Sequence, residues 1–265
     1  MSAASELRDA VAFLTPLRLT RPGKSASAPS PHSMTFFPVV GAALGALVGL
    51  TWWRARRSFP PLLAAALVVG ADCAVTGALH LDGVADTADG LLAHVPAKDR
   101  LDIMAEPAVG AFAVVAVGTA LVTRMAALAA LEPSVPLLAA LYCSSRSVMV
   151  IGSRMLPYAR KEGLVSSFLP GPGLPATGPP GTAAIPRADW SLVAAIMGAA
   201  GALGMASAVA GRRGATAVVA GWAAAAVTLE CAHRRLGGYT GDVLGAAGVS
   251  SELCGLVLAA RGRRG

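Results

Sequence analysis

The sequence predicts an all-α fold, a polytopic integral membrane helical bundle with about seven transmembrane helices. Hydrophobic residues make up 55% of the 265 residues and charged residues only 14%, whereas soluble domains carry roughly 25% charged residues. So few charges cannot cover the surface of a soluble protein of this size, and the chain is too apolar to be disordered. Aromatic residues are only 5%, while 30 residues are glycine, which favours closely packed helices over a β-barrel with aromatic girdles.

Apolar runs of spanning or near-spanning length recur along the chain. They lie at roughly 37–53, 60–79, 107–131, 135–152, 190–211, 214–232 and 243–260. Before them, Leu7, Val11 and Leu14 share one face of a predicted helix, either an interfacial helix or one packed on the bundle. The Pro- and Gly-rich segment 165–187 predicts a flexible loop. We interpret residues 1–265 as a single membrane-embedded domain.

The basic residues predict which loops face the cytoplasm. The net charge is +7, but most arginines lie in clusters beside apolar runs, which indicates membrane anchors and no nucleic-acid partner. The N-terminal segment and the loops 80–106, 153–189 and 233–242 carry 12 Lys and Arg, against 8 in the loops of the opposite side. The positive-inside rule therefore places the first group in the cytoplasm, in a multi-pass protein of the inner (plasma) membrane.

Acidic residues are concentrated in one connection. Seven of the fifteen lie between residues 72 and 106, and Asp82, Asp86 and Asp89 are spaced so that one helical face would carry all three. Like charges stacked in this way repel each other. A divalent cation such as Mg²⁺ removes the repulsion and keeps coordination positions for substrate phosphates. The alternative, a solvated acidic loop, is less expected because apolar spans flank this segment.

A second polar segment, HRRLGGYTGDVLGAAG at 233–248, follows the sixth apolar run. Gly237, Gly238 and Gly241 predict a loop that a ligand can approach closely, and Asp242 begins the last span. The sidedness count puts Asp242 on the same membrane face as the three aspartates of the acidic connection. All four carboxylates are therefore candidate metal ligands.

Ionisable residues inside apolar runs are functional candidates by default. Asp72, Arg124, Arg146 and Glu252 lie in such positions, although Asp72 could equally be a structural partner of one of the arginines. His80, next to the aspartates, is open to three roles: metal ligand, proton acceptor or structural hydrogen-bonding residue.

Four motifs in order resemble the cobalamin synthase family, the adenosylcobinamide-GDP ribazoletransferases of vitamin B12 assembly. They are FPVVGAALG (37–45), HLDGVADTADG (80–90), YARKEGL (158–164) and GGYTGDVLGA (237–246). The resemblance implies a Mg²⁺-dependent integral membrane enzyme. Its substrates would be adenosylcobinamide-GDP and α-ribazole or α-ribazole 5′-phosphate, and its products GMP and adenosylcobalamin or the corresponding phosphate.

The resemblance also implies roles for individual residues. Catalytic residues would be Asp82, Asp86, Asp89, His80 and Asp242, and the four aspartates would hold the metal. Phosphate- or substrate-binding residues would be Arg100, Arg146, Arg160, Gly237, Gly238 and Thr240, with Glu162 in the same motif as Arg160. The segment IMAEPAVGAF (103–112) departs from the family pattern, because alanines stand at two positions that are basic in the family.

Two other functions fit parts of the sequence. DTADG (86–90) matches the start of the aspartate motif of CDP-alcohol phosphotransferases, but His94 replaces its arginine. A cation transporter would place its acids near the bilayer midplane, whereas most acids here lie in connections. The predicted partners are the two substrates and the lipid bilayer, with a homo-oligomer left open.

Overall fold

The computed structural model describes residues 2–17, 31–160 and 189–261, and helices dominate these three ranges. The helices are α1 (Ala3–Leu14), a 3₁₀ helix (Pro31–Phe36), α2 (Phe37–Arg56), α3 (Pro61–Thr76), α4 (Leu79–Leu92), α5 (Ala97–Ile103), α6 (Ala111–Ala130), α7 (Val135–Met155), α8 (Trp190–Leu236) and α9 (Gly241–Ala260). No β-strand forms in the described ranges, so the predicted all-α class is confirmed. The predicted flexible loop 165–187 and Glu162 lie outside the described residues.

Membrane-spanning helices account for most of the described structure. Within the described ranges, five helices are long and apolar enough to cross a membrane, and α3 with α4 makes a sixth span if this bent pair counts as one. The predicted multi-pass membrane protein is therefore confirmed, with the predicted seven spans as an approximate count.

Helix α8 explains part of that difference in count. Its 47 residues would extend about 70 Å as one straight helix, roughly twice the thickness of the bilayer core. The backbone leaves helical geometry at Gly211, where φ is 57° and ψ is −139°. Just beyond, Gly214 lies directly against the carbonyl oxygen of Ala206, although residues eight apart in a straight helix are about 12 Å apart. The chain therefore turns back on itself, and the two limbs correspond to the fifth and sixth predicted runs.

Glycines let α2 and α7 pack backbone to backbone. Gly41, Gly45 and Gly49 recur every four residues along one face of α2. A Cβ atom on Gly41 would lie 2.6 Å from the carbonyl oxygen of Tyr142, and one on Gly49 would lie 2.8 Å from the Cα atom of Val135. Close approach through small residues is a common way to associate helices in a membrane, where the lipid removes the usual hydrophobic driving force.

The turn between α3 and α4 directs the acidic helix across the bundle. Gly77 and Ala78 both adopt left-handed backbone conformations, with φ of 62° and 54°, and the two helices meet at 91°. Helix α4 then crosses α9 through small residues. A Cβ atom on Gly83 would lie 2.7 Å from the carbonyl oxygen of Asp242, and one on Gly245 would lie 3.4 Å from the Cα atom of His80. This crossing brings the two polar segments of the sequence together.

Helix α1 packs on the bundle through its C-terminal half. Leu14 is fully buried, whereas Leu7 is 39% exposed. Phe13 stacks on Phe37 of α2, with 5.5 Å between the ring centroids. The sequence predicted either an interfacial helix or a helix packed on the bundle, and this half of α1 packs on the bundle.

Candidate active site

The three aspartates of α4 line one polar cavity of about 250 Å³. They follow each other along α4, and the opposite wall is formed by the chain between α5 and α6, including Ala105, Glu106 and Ala108. The segment that departs from the family pattern thus faces the aspartates. Its two alanines bring no positive charge to this wall. A positively charged side chain near the aspartates therefore has to come from another segment of the chain.

Asp242 and Arg160 complete the charged part of this site. Asp86 experiences electrostatic repulsion from Asp242, Asp82 and Asp89 and attraction from Arg160. The Nη2 atom of Arg160 lies 3.4 Å from Oδ2 of Asp242 and 3.2 Å from the carbonyl oxygen of Met104, to which it donates. Asp86 therefore has three neighbouring carboxylates against one guanidinium group, and the site has an excess of negative charge.

The donor chemistry of this site fits a hard divalent cation. Carboxylate oxygens are the ligands that Mg²⁺ takes, usually one or two of them together with water and substrate phosphates. Within the three described ranges, no group of three or more His, Cys, Asp or Glu side chains stands close enough to hold a metal ion. The carboxylates are thus neighbours, but a complete ligand shell of protein atoms is not preformed.

Asp89 has a structural role that the sequence did not reveal. Its Oδ2 atom accepts a hydrogen bond from the backbone amide of Gly110 at 2.6 Å, and its Oδ1 atom accepts one from the amide of Ala113 at 2.9 Å. The carboxylate therefore caps the N-terminus of α6, where the helix dipole favours negative charge. The signal in the sequence was an apolar helix that begins after a glycine, with no side chain of its own to cap it.

The glycine-rich loop between α8 and α9 is held in place by the chain that follows α7. Tyr158 and Tyr239 form a parallel β-bridge. The amide of Tyr239 donates to the carbonyl of Pro157 at 3.0 Å, and the amide of Ala159 donates to the carbonyl of Tyr239 at 2.8 Å. Gly238 lies so close to Pro157 that a side chain has no room. The bridge thus places Arg160 beside the start of α9.

Thr240 and Gly237 define the ends of the neighbouring helices. Gly237 ends α8 with a φ of 77°, and the Thr240 hydroxyl caps α9 by accepting from the amide of Val243 at 3.3 Å.

Burial raises the pKa of Tyr239 to about 12. Burial also raises the pKa of Tyr158, an effect that Arg160 opposes and Asp242 reinforces. Both phenols of this bridge are therefore protonated at neutral pH.

Arg100 lies at the C-terminal end of α4. Its Nη1 atom donates to the carbonyls of Gly90 and Leu91, at 2.8 and 2.7 Å, and Arg235 also donates to the carbonyl of Leu91. Cations at this end of a helix interact favourably with its dipole. Of the three arginines predicted to bind phosphate, Arg160 is the one in contact with the carboxylate cluster.

Arg146 belongs to a buried ionic network in the middle of the bundle. It pairs with Glu252, which also pairs with Arg124 at 2.7 Å, and Arg124 pairs with Asp72 at 3.1 Å. Two positive and two negative groups thus balance each other, as buried charges require. Asp72 thus pairs with an arginine, as one of the two predicted alternatives had it. Arg146 does not line the aspartate cavity.

Two further residues join this network. The hydroxyl of Tyr142, which the sequence analysis did not single out, accepts a hydrogen bond from Arg124 at 2.5 Å. Nδ1 of His80 lies 3.4 Å from Nη2 of Arg146. His80 therefore connects the buried network to α4, two residues before the first aspartate of the cavity.

Comparison with known proteins gives consistent results over most of the chain. A family model described as cobalamin-5-phosphate synthase matches residues 6–260. Proteins named adenosylcobinamide-GDP ribazoletransferase are similar to the chain in Ralstonia nicotianae (37% identity, 82% of this chain and 80% of the relative) and Bradyrhizobium diazoefficiens (32% identity, 97% and 93%). A third, from Desulfitobacterium hafniense, is 34% identical over 63% of this chain and 68% of the relative. No solved structure matches the chain significantly.

Proposed function

The chain belongs to the cobalamin-5-phosphate synthase family, and we propose that it acts as an adenosylcobinamide-GDP ribazoletransferase in the last steps of vitamin B12 synthesis. It joins adenosylcobinamide-GDP to α-ribazole or α-ribazole 5′-phosphate and releases GMP. The main observation behind this proposal is that the family model matches residues 6–260 of the chain. The aspartates near Arg160 support it, because a pyrophosphate substrate needs an arginine or carboxylate-bound Mg²⁺ to neutralise its charge.

The reaction is a displacement at phosphorus. A ribose hydroxyl oxygen forms a bond to the cobinamide-side phosphorus, the bond from that phosphorus to the bridging oxygen breaks, and GMP leaves with the bridging oxygen. Negative charge spreads over the phosphoryl oxygens in the transition state, so catalysis consists mainly of positioning and electrostatic stabilisation. Arg160, with its guanidinium 3.4 Å from Asp242, is the protein cation best placed to donate hydrogen bonds to these oxygens.

We assign two roles to the carboxylates. Asp82, Asp86 and Asp242 are the residues that would hold Mg²⁺, which supplies charge neutralisation at the pyrophosphate oxygens when it is bound. Asp89 already uses both oxygens to accept backbone amides, so it contributes mainly by fixing α4 against α6. Arg100 and Arg146 act on the site indirectly, because both are bound to protein groups.

A carboxylate, rather than His80, takes the proton of the attacking hydroxyl. Arginine can only donate hydrogen bonds, so Nδ1 of His80 must accept from Arg146. The imidazole proton then resides on Nε2, and neither ring nitrogen is free to accept another proton. The carboxylate oxygens of Asp82, Asp86 and Asp242 that Mg²⁺ would leave unoccupied are then the acceptors for this proton.

The direct test uses the full chain in detergent or liposomes. With adenosylcobinamide-GDP, α-ribazole and Mg²⁺, we expect stoichiometric GMP and adenosylcobalamin, loss of both products with a chelator, and recovery when Mg²⁺ is added back. CDP-alcohol serves as the competing phosphoryl source. Turnover of CDP-alcohol in place of adenosylcobinamide-GDP would show that the protein is a CDP-alcohol phosphotransferase instead. Cation uptake by proteoliposomes without turnover would show that it is a transporter.

We also propose that the protein lies in the inner membrane with the aspartate cavity facing the cytoplasm. The excess of Lys and Arg in the loops on that side supports this orientation. Single cysteines at two exposed positions, Ala105→Cys beside the cavity and Ser58→Cys between α2 and α3, test it in a chain without its four native cysteines. A membrane-impermeant maleimide added to intact cells should label only the cysteine at position 58, and labelling only at position 105 would reverse the orientation.

A further inference from the structure

A second cavity, of about 340 Å³, lies next to the carboxylate site. Its walls come from the C-terminal end of α1, the start of α2, the turn between α3 and α4, and the first turns of α9. Most of the lining is apolar and includes Ala12, Phe13, Met34, Phe37, Met149 and Leu244. This volume is at the lower end of the range of about 300–1,000 Å³ for small-molecule sites, which are mostly apolar with a few fixed polar groups.

The polar groups of this cavity include His80 and Asp242. Asp242 also acts electrostatically on Asp86, which lines the aspartate cavity, so one wall of the apolar cavity carries a carboxylate that neighbours the aspartates. His80 is buried, with 6% of its surface exposed, and its Nε2 atom has no hydrogen-bond partner among the described residues. Since Nδ1 accepts from Arg146, Nε2 carries a proton and is a donor without an acceptor.

We propose that this cavity is the acceptor subsite and holds the aromatic base of the ribazole substrate, with the Nε2–H group of His80 as its hydrogen-bond donor. The inference rests on the proposed function. A ribazole carries a flat, bicyclic, largely apolar benzimidazole base that has one unsubstituted ring nitrogen, which is an acceptor. Such a base matches an apolar cavity with one unused donor, and Asp242 at the cavity wall leads the attached ribose toward the carboxylates.

The other parts of the substrates match this cavity poorly. Guanine has donors and acceptors along most of its edge, and burying them against apolar side chains without partners would cost several hydrogen bonds. The corrin ring, with its many amide side chains, is far larger than a cavity of about 340 Å³. Neither group therefore matches this cavity, and the acceptor base is the one part of either substrate that fits it in size and polarity.

Filling the cavity tests its occupant. Ala12 is exposed on α1 and lines the cavity, so Ala12→Phe adds a ring there without replacing a buried side chain. We expect KM for α-ribazole to rise about tenfold or more, with KM for adenosylcobinamide-GDP and kcat nearly unchanged, because only ground-state binding of the acceptor is lost. Ala4→Phe is the matched control, since Ala4 is exposed on the same helix but does not line the cavity.

Two free bases test the hydrogen bond. Binding of 5,6-dimethylbenzimidazole and 5,6-dimethylindole to the full chain is measured by equilibrium dialysis; the indole lacks the acceptor nitrogen. We expect the benzimidazole to bind about tenfold more tightly, as for one added hydrogen bond. In His80→Phe this preference should disappear. If that variant does not fold, the Ala12→Phe measurement still decides whether the cavity holds the base.

The outcomes separate the cavity from the proposed function. If the wild-type chain releases GMP but Ala12→Phe leaves KM for α-ribazole unchanged, the subsite is wrong while the transferase stands, and a lipid chain becomes the better occupant. If the wild-type chain releases no GMP, the proposed transferase function is wrong. The binding measurements with the two free bases then show whether the cavity binds an aromatic base. Equal binding of the two bases by the wild-type chain would overturn the role of His80.

Discussion

The carboxylate of Asp89 on α4 accepts the backbone amide of Gly110 at 2.6 Å and thereby caps α6. A Cβ atom on Gly110 would lie 2.6 Å from the same carboxylate, so a glycine is needed for this contact. The pair joins the acidic helix, which carries the candidate metal ligands, to the start of a membrane-spanning helix. Of the four aspartates predicted to hold the metal, Asp89 thus has a structural role in this contact, whereas Asp86 is one to which we assign a chemical role.

Asp89→Ala should destabilise the protein even without substrate. The variant leaves the amides of Gly110 and Ala113 at the N-terminus of α6 without their acceptor, which typically costs about 1 kcal/mol. Thermal unfolding in detergent should show a lower midpoint for Asp89→Ala than for Asp86→Asn. An unchanged midpoint for Asp89→Ala would mean that the cap contributes nothing to stability.

Asp86→Asn should abolish most activity while the protein stays folded. In the described ranges Asp86 makes no hydrogen bond or ion pair that the substitution would break, and its charge is repelled by three neighbouring carboxylates. Loss of one such electrostatic group typically lowers kcat about 100-fold or more.

The control for this substitution is Asp102→Asn, at an exposed position of α5 that does not line the aspartate cavity. We expect this variant to release GMP at the wild-type rate. Near-normal turnover in Asp86→Asn would contradict the assignment of the carboxylate site.

Gly83→Ala should impair activity by moving α4 away from α9. The added Cβ atom would lie 2.7 Å from the carbonyl oxygen of Asp242, so the helices must separate and the spacing of Asp242 and Asp86 must change. A Cβ atom on Gly118 of α6 meets nothing within 4 Å. Gly118→Ala should therefore leave activity unchanged and stabilise the helix by up to about 1 kcal/mol.

Activity and thermal midpoints of the two glycine variants give the comparison. The expected pattern is low GMP release for Gly83→Ala alone. If both variants are fully active, close contact of α4 with α9 is not needed for the reaction.

Glu252→Gln should destabilise the protein far more than loss of an exposed ion pair. Glu252 is 3% exposed and pairs with both Arg124 and Arg146, so its neutralisation leaves a buried positive charge uncompensated, at a cost of about 3–5 kcal/mol. Glu230→Gln removes an exposed partner of Arg234 and should cost about 1 kcal/mol or less. Equal thermal midpoints for the two variants would show that the buried network is not a main source of stability.

Much of the fold and part of the site could be predicted from the sequence. The few charged residues and the repeated apolar runs were enough to predict the helical membrane fold class. The spacing of Asp82, Asp86 and Asp89 predicted that they share one helical face, and in the structure they line one cavity. The reversal at Gly211 was also implied, since a 47-residue apolar segment is too long for one span. These features depend on composition and on helical periodicity, which are local properties of the chain.

The partners of individual charges could not be predicted in the same way. Arg100 and Arg160 both looked like phosphate ligands, yet one lies at the end of α4 and the other beside Asp242. Arg146 finds its partner 106 residues away in Glu252. Such pairs depend on which helices cross and at what depth, and a single sequence does not specify these contacts.

The sequence by itself determined that this protein is a helical membrane protein, belongs to one enzyme family by its ordered motifs, and concentrates its acids in one connection. The tertiary structure decided which groups these acids meet. The crossing of α4 over α9 at Gly83 brings Asp242 to Asp86, and the packing of α4 against α6 turns Asp89 into a helix cap. Apolar periodicity is encoded residue by residue, whereas the environment of a charge is created only when distant helices pack together.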